Sequence, residues 1–337
     1  MDCTLCASLA LEFGGAFVEG FINNIAAAFG LSCKTVTREK FGTICNTQKG
    51  LVRIQKTGFN QGNIDAVMFG HEVKEHLWRN KFEGIDRFFV TESGLPYHKV
   101  ADEIFTASIA YSAKNAQYAQ PKDFLSVVDS LGKMHKILAQ PNFVSQPRKK
   151  QKDILPQKAM EVLEGYKKKL LRLGKFSEFD MLFLKGCDIF MPHITAMGDI
   201  DCFRLEHNDY ICHNLLKEEN VYIVDGKPIF TNFANASYGH YSNDLVYIVK
   251  RYLKVHPAGD LPLSDVFDAY KNAHCTGYDI DEKVFRTMLL YPDKFIKVAR
   301  DYYIKKRSFA PKNYLTHMEE SFARNTDAEA YLQRLVN

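Results

Sequence analysis

The stretch HNDYICHN, running from His207 to Asn214, spaces a histidine, an aspartate and an asparagine as HxDxxxxN. That spacing suits phosphoryl transfer, in which the protein mainly positions groups. An aspartate orients or takes the proton of an attacking hydroxyl, and an asparagine five residues later binds a metal ion. A buried structural histidine with a capping aspartate produces the same short pattern. Such a site also needs a second acid to hold Mg²⁺ against the phosphates, and the corresponding stretch, IFTNFANASYG, has Asn232 where that acid would stand. Two readings are open at this point: a working phosphotransferase, or a protein of that shape with its chemistry removed.

The surrounding sequence predicts the elements that would hold these residues. The first thirty residues are rich in small side chains and read as helical. From Cys33 the texture becomes β-prone, with CKTVTREKF, GTICNTQ and LVRIQKT as short strands and a hairpin turn at Lys49-Gly50. Val67, Met68, Val73 and Leu77 predict a helix from about Asn63 to Lys81, and RFFVTES, GLPYHKV and EIFTASIAY predict further strands. After Pro121 the pattern turns helical: DFLSVVDSLGKMHKIL keeps Leu125, Val128, Leu131 and Met134 on one face. A polar, proline-bounded connection, PNFVSQPRKKQKDILP, precedes two more helices, KAMEVLEGYKKKLLRLGK and FSEFDMLFLKGCDIFMPHITAMGDI. The lysines of the first of these read as a solvated face. A short strand pair is expected around Leu215 and Val221-Tyr222-Ile223-Val224, and YPDKFIKVARDYY reads as a packed helix face. A small β-rich lobe with one helix, then a larger helical lobe, predicts a bilobal kinase-like α+β fold, divided as residues 1–30, 31–110 and 111–337.

Composition limits the function classes. A chain of 337 residues with 46% hydrophobic residues can bury a sizeable core, and a formal charge of +4 does not call for nucleic acid. No basic region precedes the apolar N-terminal stretch, which Glu12 and Glu19 interrupt, so no signal peptide is expected. No run reaches the roughly 18 apolar residues of a membrane span. The eight cysteines are expected as free thiols, and the lone CxxC of Cys3 and Cys6 lacks the second pair of a zinc site. His213 and His240 have no partners at metal-ligand spacing and read as loop or core histidines.

GLPYHKV, SLGKMHKI, SEFDMLFLKGCDIF, HNDYICHNLL, TNFANASYGHYSNDL and LLYPDKFIKVARDYYIKKRSF lie in order between about Leu31 and Leu335. Together they resemble the aminoglycoside and choline kinase-like superfamily, and more closely its CotS-type spore-coat proteins. The resemblance implies an aminoglycoside phosphotransferase-like fold. It makes Asp209 the catalytic base, Asn214 the metal-binding asparagine, His207 the structural histidine of the loop and Asp244 of SNDL its brace. Asn232 falls where the family has the metal-binding aspartate, so Asn214 and Asn232 would form a degenerate Mg²⁺ site. Gln55, in VRIQ, takes the place of the phosphate-binding lysine, and the neighbouring Lys56 points to the other sheet face. Glu72 or Glu75 would be the helix glutamate that pairs with such a lysine. Gly42 is the only glycine in REKFGTICNTQ, where a glycine-rich loop would lie. Adenine, if bound, would lie against Ser108-Ile109-Ala110.

Losing one electrostatic clamp costs about 10²- to 10³-fold in rate, so the missing charges at Gln55 and Asn232 lead to the expectation of a pseudokinase rather than an enzyme. Mg-ATP binding is accordingly expected to be weak or absent. The resemblance further implies synthesis in the mother-cell cytoplasm and assembly with other spore-coat proteins. Two alternatives stand beside it: an ATP-dependent phosphotransferase acting on a hydroxyl of a sugar, amino alcohol or aminocyclitol, and a nucleotide-sensing protein that changes shape.

Overall fold

The computed structural model describes residues 15–39, 42–139, 143, 145, 147, 156–200, 210–257, 260–274, 280–305 and 311–334. The fold is bilobal α+β, with a β-rich N-terminal region and a larger helical C-terminal region. Two units divide the chain: Met1–Asn115 with Asn142–Arg148 and Glu218–Ala236, and Ala116–Pro141 with Lys149–Lys217 and Ser237–Asn337.

The first unit opens with helix α1 (Gly15–Ala27) and strands β1 (Cys33–Glu39), β2 (Gly42–Thr47) and β3 (Gly50–Gly58). Helix α2 (Gln61–Arg79) follows, then β4 (Phe88–Phe89), β5 (His98–Val100) and β6 (Glu103–Ile109). The antiparallel sheet runs β1-β2-β3-β6-β4, with β5 also on β6. Period-two alternation sets its faces. Val52 and Ile54 of β3 turn inward with Cys45, Phe105 and Ala107 and pack on Ile22, Ile25 and Ala26 of α1. Arg53 and Gln55 therefore belong to the opposite face. Asn60 starts α2 by accepting a hydrogen bond from the Asn63 N–H at 3.0 Å.

A second, three-stranded sheet in this unit is ordered β10 (Lys227–Phe230), β9 (Val221–Val224), β7 (Lys114–Asn115). The expected strand pair around Leu215 is corrected here: Leu215 lies in no strand, and β9 pairs with β10 and β7. Asp225 and Gly226, at φ 49° and 76°, form the two-residue connection that brings β10 back along β9.

In the second unit come α3 (Pro121–Ile137), α4 (Pro156–Leu173), α5 (Glu178–Gly198), β8 (Tyr210–Cys212), β11 (Ser237–Gly239), α6 (Ser242–Val255), α7 (Leu263–His274), α8 (Glu282–Leu290), α9 (Asp293–Lys305) and α10 (Pro311–Gln333). β8 and β11 form an antiparallel pair. Phe183, Cys187 and Phe190 of α5, Phe295 of α9 and Met318 of α10 share one core, and Gly186 leaves the room that the Phe295 ring fills. Ser177 and Asp180 form a reciprocal capping box at the start of α5. Among the described residues no helix is long and apolar enough to cross a membrane.

Candidate functional site

The second unit carries the loop singled out by its spacing. His207 and Asp209 lie outside the described residues, which resume at Tyr210. β8 delivers His213 and Asn214, and Asp244, in the first turn of α6, holds both. Its Oδ2 accepts the His213 N–H at 2.6 Å and its Oδ1 accepts the Asn214 N–H at 2.7 Å. Asn214 is thereby kept at φ 60°, a left-handed conformation that asparagine tolerates better than most residues. Its Nδ2 donates to the Cys212 carbonyl at 3.1 Å and to Ser237 Oγ at 3.0 Å, which directs Oδ1 away from those two partners.

Behind this loop lies a buried network. His135 of α3 places Nε2 3.2 Å from Asp244 Oδ2 and Nδ1 2.7 Å from the Tyr270 hydroxyl of α7. Burial alone would raise the Asp244 carboxyl. The hydrogen bond and charge of His135, the charge of His213 and the Asn214 N–H outweigh it, and the carboxyl is held below its ordinary value. Cys212 Sγ donates to the His240 carbonyl at 3.2 Å. The ligating atoms of His135, Cys212 and Asp244 lie within 4.8 Å of one another, and all three residues are buried. Donors of this kind suit a metal such as zinc. Here His135 and Asp244 bond one another, Cys212 bonds the His240 carbonyl, and Asp244, backed by His135, braces the Asn214 turn. Sequence reading found Asp244 but missed His135 and Cys212. The available signal was SLGKMHKI, where His135 follows the buried Met134 on an otherwise apolar stripe.

In the first unit, Gln55 lies across from Thr106 and Arg53 across from Ser108. Lys56 is on the other face, 62% exposed, with Nζ 2.6 Å from Glu103. Gly42 closes the β1–β2 connection at φ 134°, and a Cβ there would stand 2.6 Å from the Ile54 carbonyl oxygen and 3.2 Å from Gln55 Cγ. Glycine is thus required by close backbone approach, directly over Gln55. Arg53, two residues before Gln55, donates from Nη2 to the Tyr222 hydroxyl at 2.8 Å and lies 3.5 Å from Glu39. Of the helix acids, Glu72 accepts the Ser145 N–H at 2.8 Å and Glu75 takes a forked bond from Arg87.

The buried cation of α2 is Lys74, which sequence reading did not select. It is 1% exposed, with Nζ 2.7 Å from Asp86 and 3.9 Å from the centre of the Phe88 ring. Burial lowers its pKa, and the Asp86 charge acts in the opposite direction. The same ammonium lies 5.5 Å from the ring of Phe233, the residue after Asn232. Asn232 adopts φ 61° and ψ 62°, and its Nδ2 donates to Asn220 Oδ1 at 3.3 Å. Both asparagines of the expected Mg²⁺ site are therefore held in the left-handed region, Asn214 in the second unit and Asn232 in the first. Ser108 is 3% exposed. The Ile109 N–H donates to the Arg87 carbonyl at 3.1 Å and the Ala110 N–H to the Leu51 carbonyl at 2.9 Å, so these two donors of the expected adenine strand are used within the protein.

Comparison with solved structures identifies the fold. The chain is similar to an aminoglycoside phosphotransferase from Alicyclobacillus acidocaldarius, with a TM-score of 0.74 at 15% identity over 93% of this chain and 96% of that one. It is also similar to a spectinomycin phosphotransferase in complex with ADP and spectinomycin, with a TM-score of 0.65 at 12% identity over 94% and 98%. An amicoumacin kinase in complex with AMP-PNP and Ca²⁺ aligns with a TM-score of 0.60 at 11% identity over 96% of each chain. No protein-family model matches the sequence, and no curated protein matches it. The chain has the aminoglycoside phosphotransferase fold. The expectation of a non-enzyme is corrected by the buried His135–Cys212–Asp244 cluster, which resembles a catalytic or metal site, and by a fold shared with the phosphotransferases compared above.

Proposed function

We propose that this protein is an ATP- and Mg²⁺-dependent phosphotransferase acting on a hydroxyl of a small molecule such as a sugar, an amino alcohol or an aminocyclitol. The observation that carries the reading is the Asn214 turn, fixed at φ 60° by both oxygens of the buried Asp244. A left-handed turn fixed by a fully buried carboxylate is an unusual local arrangement, and such arrangements concentrate at working sites. Mg²⁺ takes hard oxygen ligands, and the amide oxygens of Asn214 and Asn232 are of that kind, with less charge than a carboxylate would bring. The residues fit the ion, and the ion would neutralise charge on the transferred phosphoryl group.

In this reading Asp209 orients the acceptor hydroxyl and takes its proton, with His207 supporting the loop. Asn214 and Asn232 hold the metal side of the phosphates. Gln55, under the Gly42 turn, offers a neutral amide to the phosphates, and Ser108 and Ala110 border the base. The test is ADP release over a panel of amino alcohols, sugars and aminocyclitols, with and without Mg²⁺. Magnesium-dependent turnover with at least one acceptor is expected, falling by about 10²- to 10⁴-fold in Asp209→Asn. No ADP release with any acceptor, together with no Mg-ATP binding by calorimetry, would overturn the proposal. Among the described residues no feature supports the finer likeness to spore-coat proteins. Mass spectrometry of purified spores tests it separately, and absence from spores would leave the enzymatic reading untouched.

A further inference from the structure

Helix α6 carries Asp244 near one end and Lys254 near the other, about 15 Å apart at 1.5 Å per residue. At the Lys254 end a cavity of about 120 Å³ opens among α6, α8, α9 and α10, all in the second unit. Leu253, Leu289 and Phe295 give it an apolar floor, while Lys250, Lys254, Lys294 and Arg324 face it; Asp293 and Asp327 lie in the lining and Glu320 stands beside it, one acid short of the four cations. Two of the four cations are matched. Lys250 donates to the Tyr291 carbonyl at 3.0 Å and to Asp293 at 2.7 Å, and Lys294 pairs with Glu320. Lys254 and Arg324 have no ion-pair partner among the described residues.

The crowding registers at Lys294. Its burial, then the charges of Arg324 and Lys254, pull its ammonium down to about 8. Surplus positive charge beside an apolar wall disfavours the empty protein and favours a ligand that brings both a negative head and an apolar body. We propose that this cavity binds a small organic anion, a carboxylate or phosphate on a short aliphatic or single-ring body, with its head on Lys254 and Arg324 and its body against Leu253 and Phe295. Size limits the body: a cavity of about 150 Å³ in another protein holds benzene, so this one admits roughly a single ring. The proposal stands whether or not the chain transfers phosphate.

Calorimetry on the full chain tests it with benzoate and n-butyl phosphate, against benzyl alcohol and n-butanol as neutral counterparts. The anions should bind with Kd on the order of 1 mM or tighter, and the alcohols at least about tenfold more weakly. Lys254→Ala with Arg324→Ala removes two exposed side chains. This double variant should keep its melting temperature and lose about tenfold or more in anion affinity. A second readout needs no variant: with lysines labelled by reductive ¹³C-methylation, the Lys294 resonance should titrate at higher pH when benzoate is present. Equal binding of anions and alcohols, undiminished binding by a folded double variant, an unmoved Lys294 titration, or no anion binding at about 10 mM would each overturn the site.

Discussion

Replacing Asp86 by alanine strands the Lys74 ammonium where it is 1% exposed. At the observed 2.7 Å, two unit charges in an effective dielectric of about 20 attract by about 6 kcal/mol. Desolvation of each ion costs several kcal/mol, so the pair is near balance as a whole while either half alone is not. Asp86→Ala and Lys74→Met should therefore each destabilise the first unit by about 3–5 kcal/mol, whereas Lys74→Met with Asp86→Leu should cost less than about 2 kcal/mol. Trp78, the only tryptophan, lies on α2 of that unit, so its fluorescence in urea reports the relevant unfolding. The pH dependence has a definite sign. Lys74 in the folded chain titrates below its ordinary 10.5, so between the two values the unfolded chain holds more protons and stability rises with pH. Lys74→Met should lack that rise. Additive single effects, or a cost below about 1 kcal/mol for Asp86→Ala, would refute the claim that the pair is a coupled buried unit.

Asp244→Asn should destabilise the loop by about 3 kcal/mol and speed hydrogen exchange at the His213 and Asn214 amides by about 10²-fold. Because the Asp244 carboxyl is held below 3.8, its stabilisation is complete above that value and is lost as pH falls through the folded pKa, which acid unfolding of wild type against the variant will register. Gly42→Ala must place a Cβ 2.6 Å from the Ile54 carbonyl at φ 134°, so a loss of about 1–3 kcal/mol by the Trp78 signal is expected. Asn232→Asp with Gln55→Lys returns one anion for the metal and one cation for the phosphates. Calorimetry should show Mg-ATP affinity rising by about tenfold or more over wild type, with each single change giving less; no gain in a folded double variant would refute the placement of these residues.

Periodicity made the fold legible. Alternation in LVRIQKT placed Gln55 and Lys56 on opposite faces, and the observed Lys56–Glu103 pair follows from that register. The 3.6-residue stripe of α3 was likewise readable. What escaped was any relation between residues far apart in sequence. His135 and Asp244 are separated by 109 positions, and nothing local to either shows that an imidazole will meet that carboxylate. Lys74 was hidden for another reason: in HEVKEH a lysine reads as solvated, and only the fold shows Asp86 waiting beside it. Leu215, though apolar, is no strand residue: Asp225 and Gly226, both at positive φ, turn the chain so that Lys227–Phe230 pairs with β9 instead.

The neutral side chains at Gln55 and Asn232 do not act alone at their own positions. Mg²⁺ is held largely by the phosphates it accompanies and by one or two protein ligands, and it keeps several waters. Under the proposed function, an amide oxygen in place of a carboxylate would weaken affinity for the metal–nucleotide pair without by itself moving the groups that position it. That geometry is the expensive part, since an error of about 1 Å costs about 10²-fold. In this chain the Asn214 turn is held by Asp244, which is fully buried and accepts the His213 and Asn214 N–H groups with its two oxygens. The cations, too, remain close to the relevant sheet and turn, with Arg53 on the face of Gln55 and Lys74 beside Phe233. Asn214 and Asn232 both adopt left-handed backbone, Asn214 under the two oxygens of Asp244 and Asn232 beside Asn220, and the proposed phosphotransferase function rests on the first of these turns.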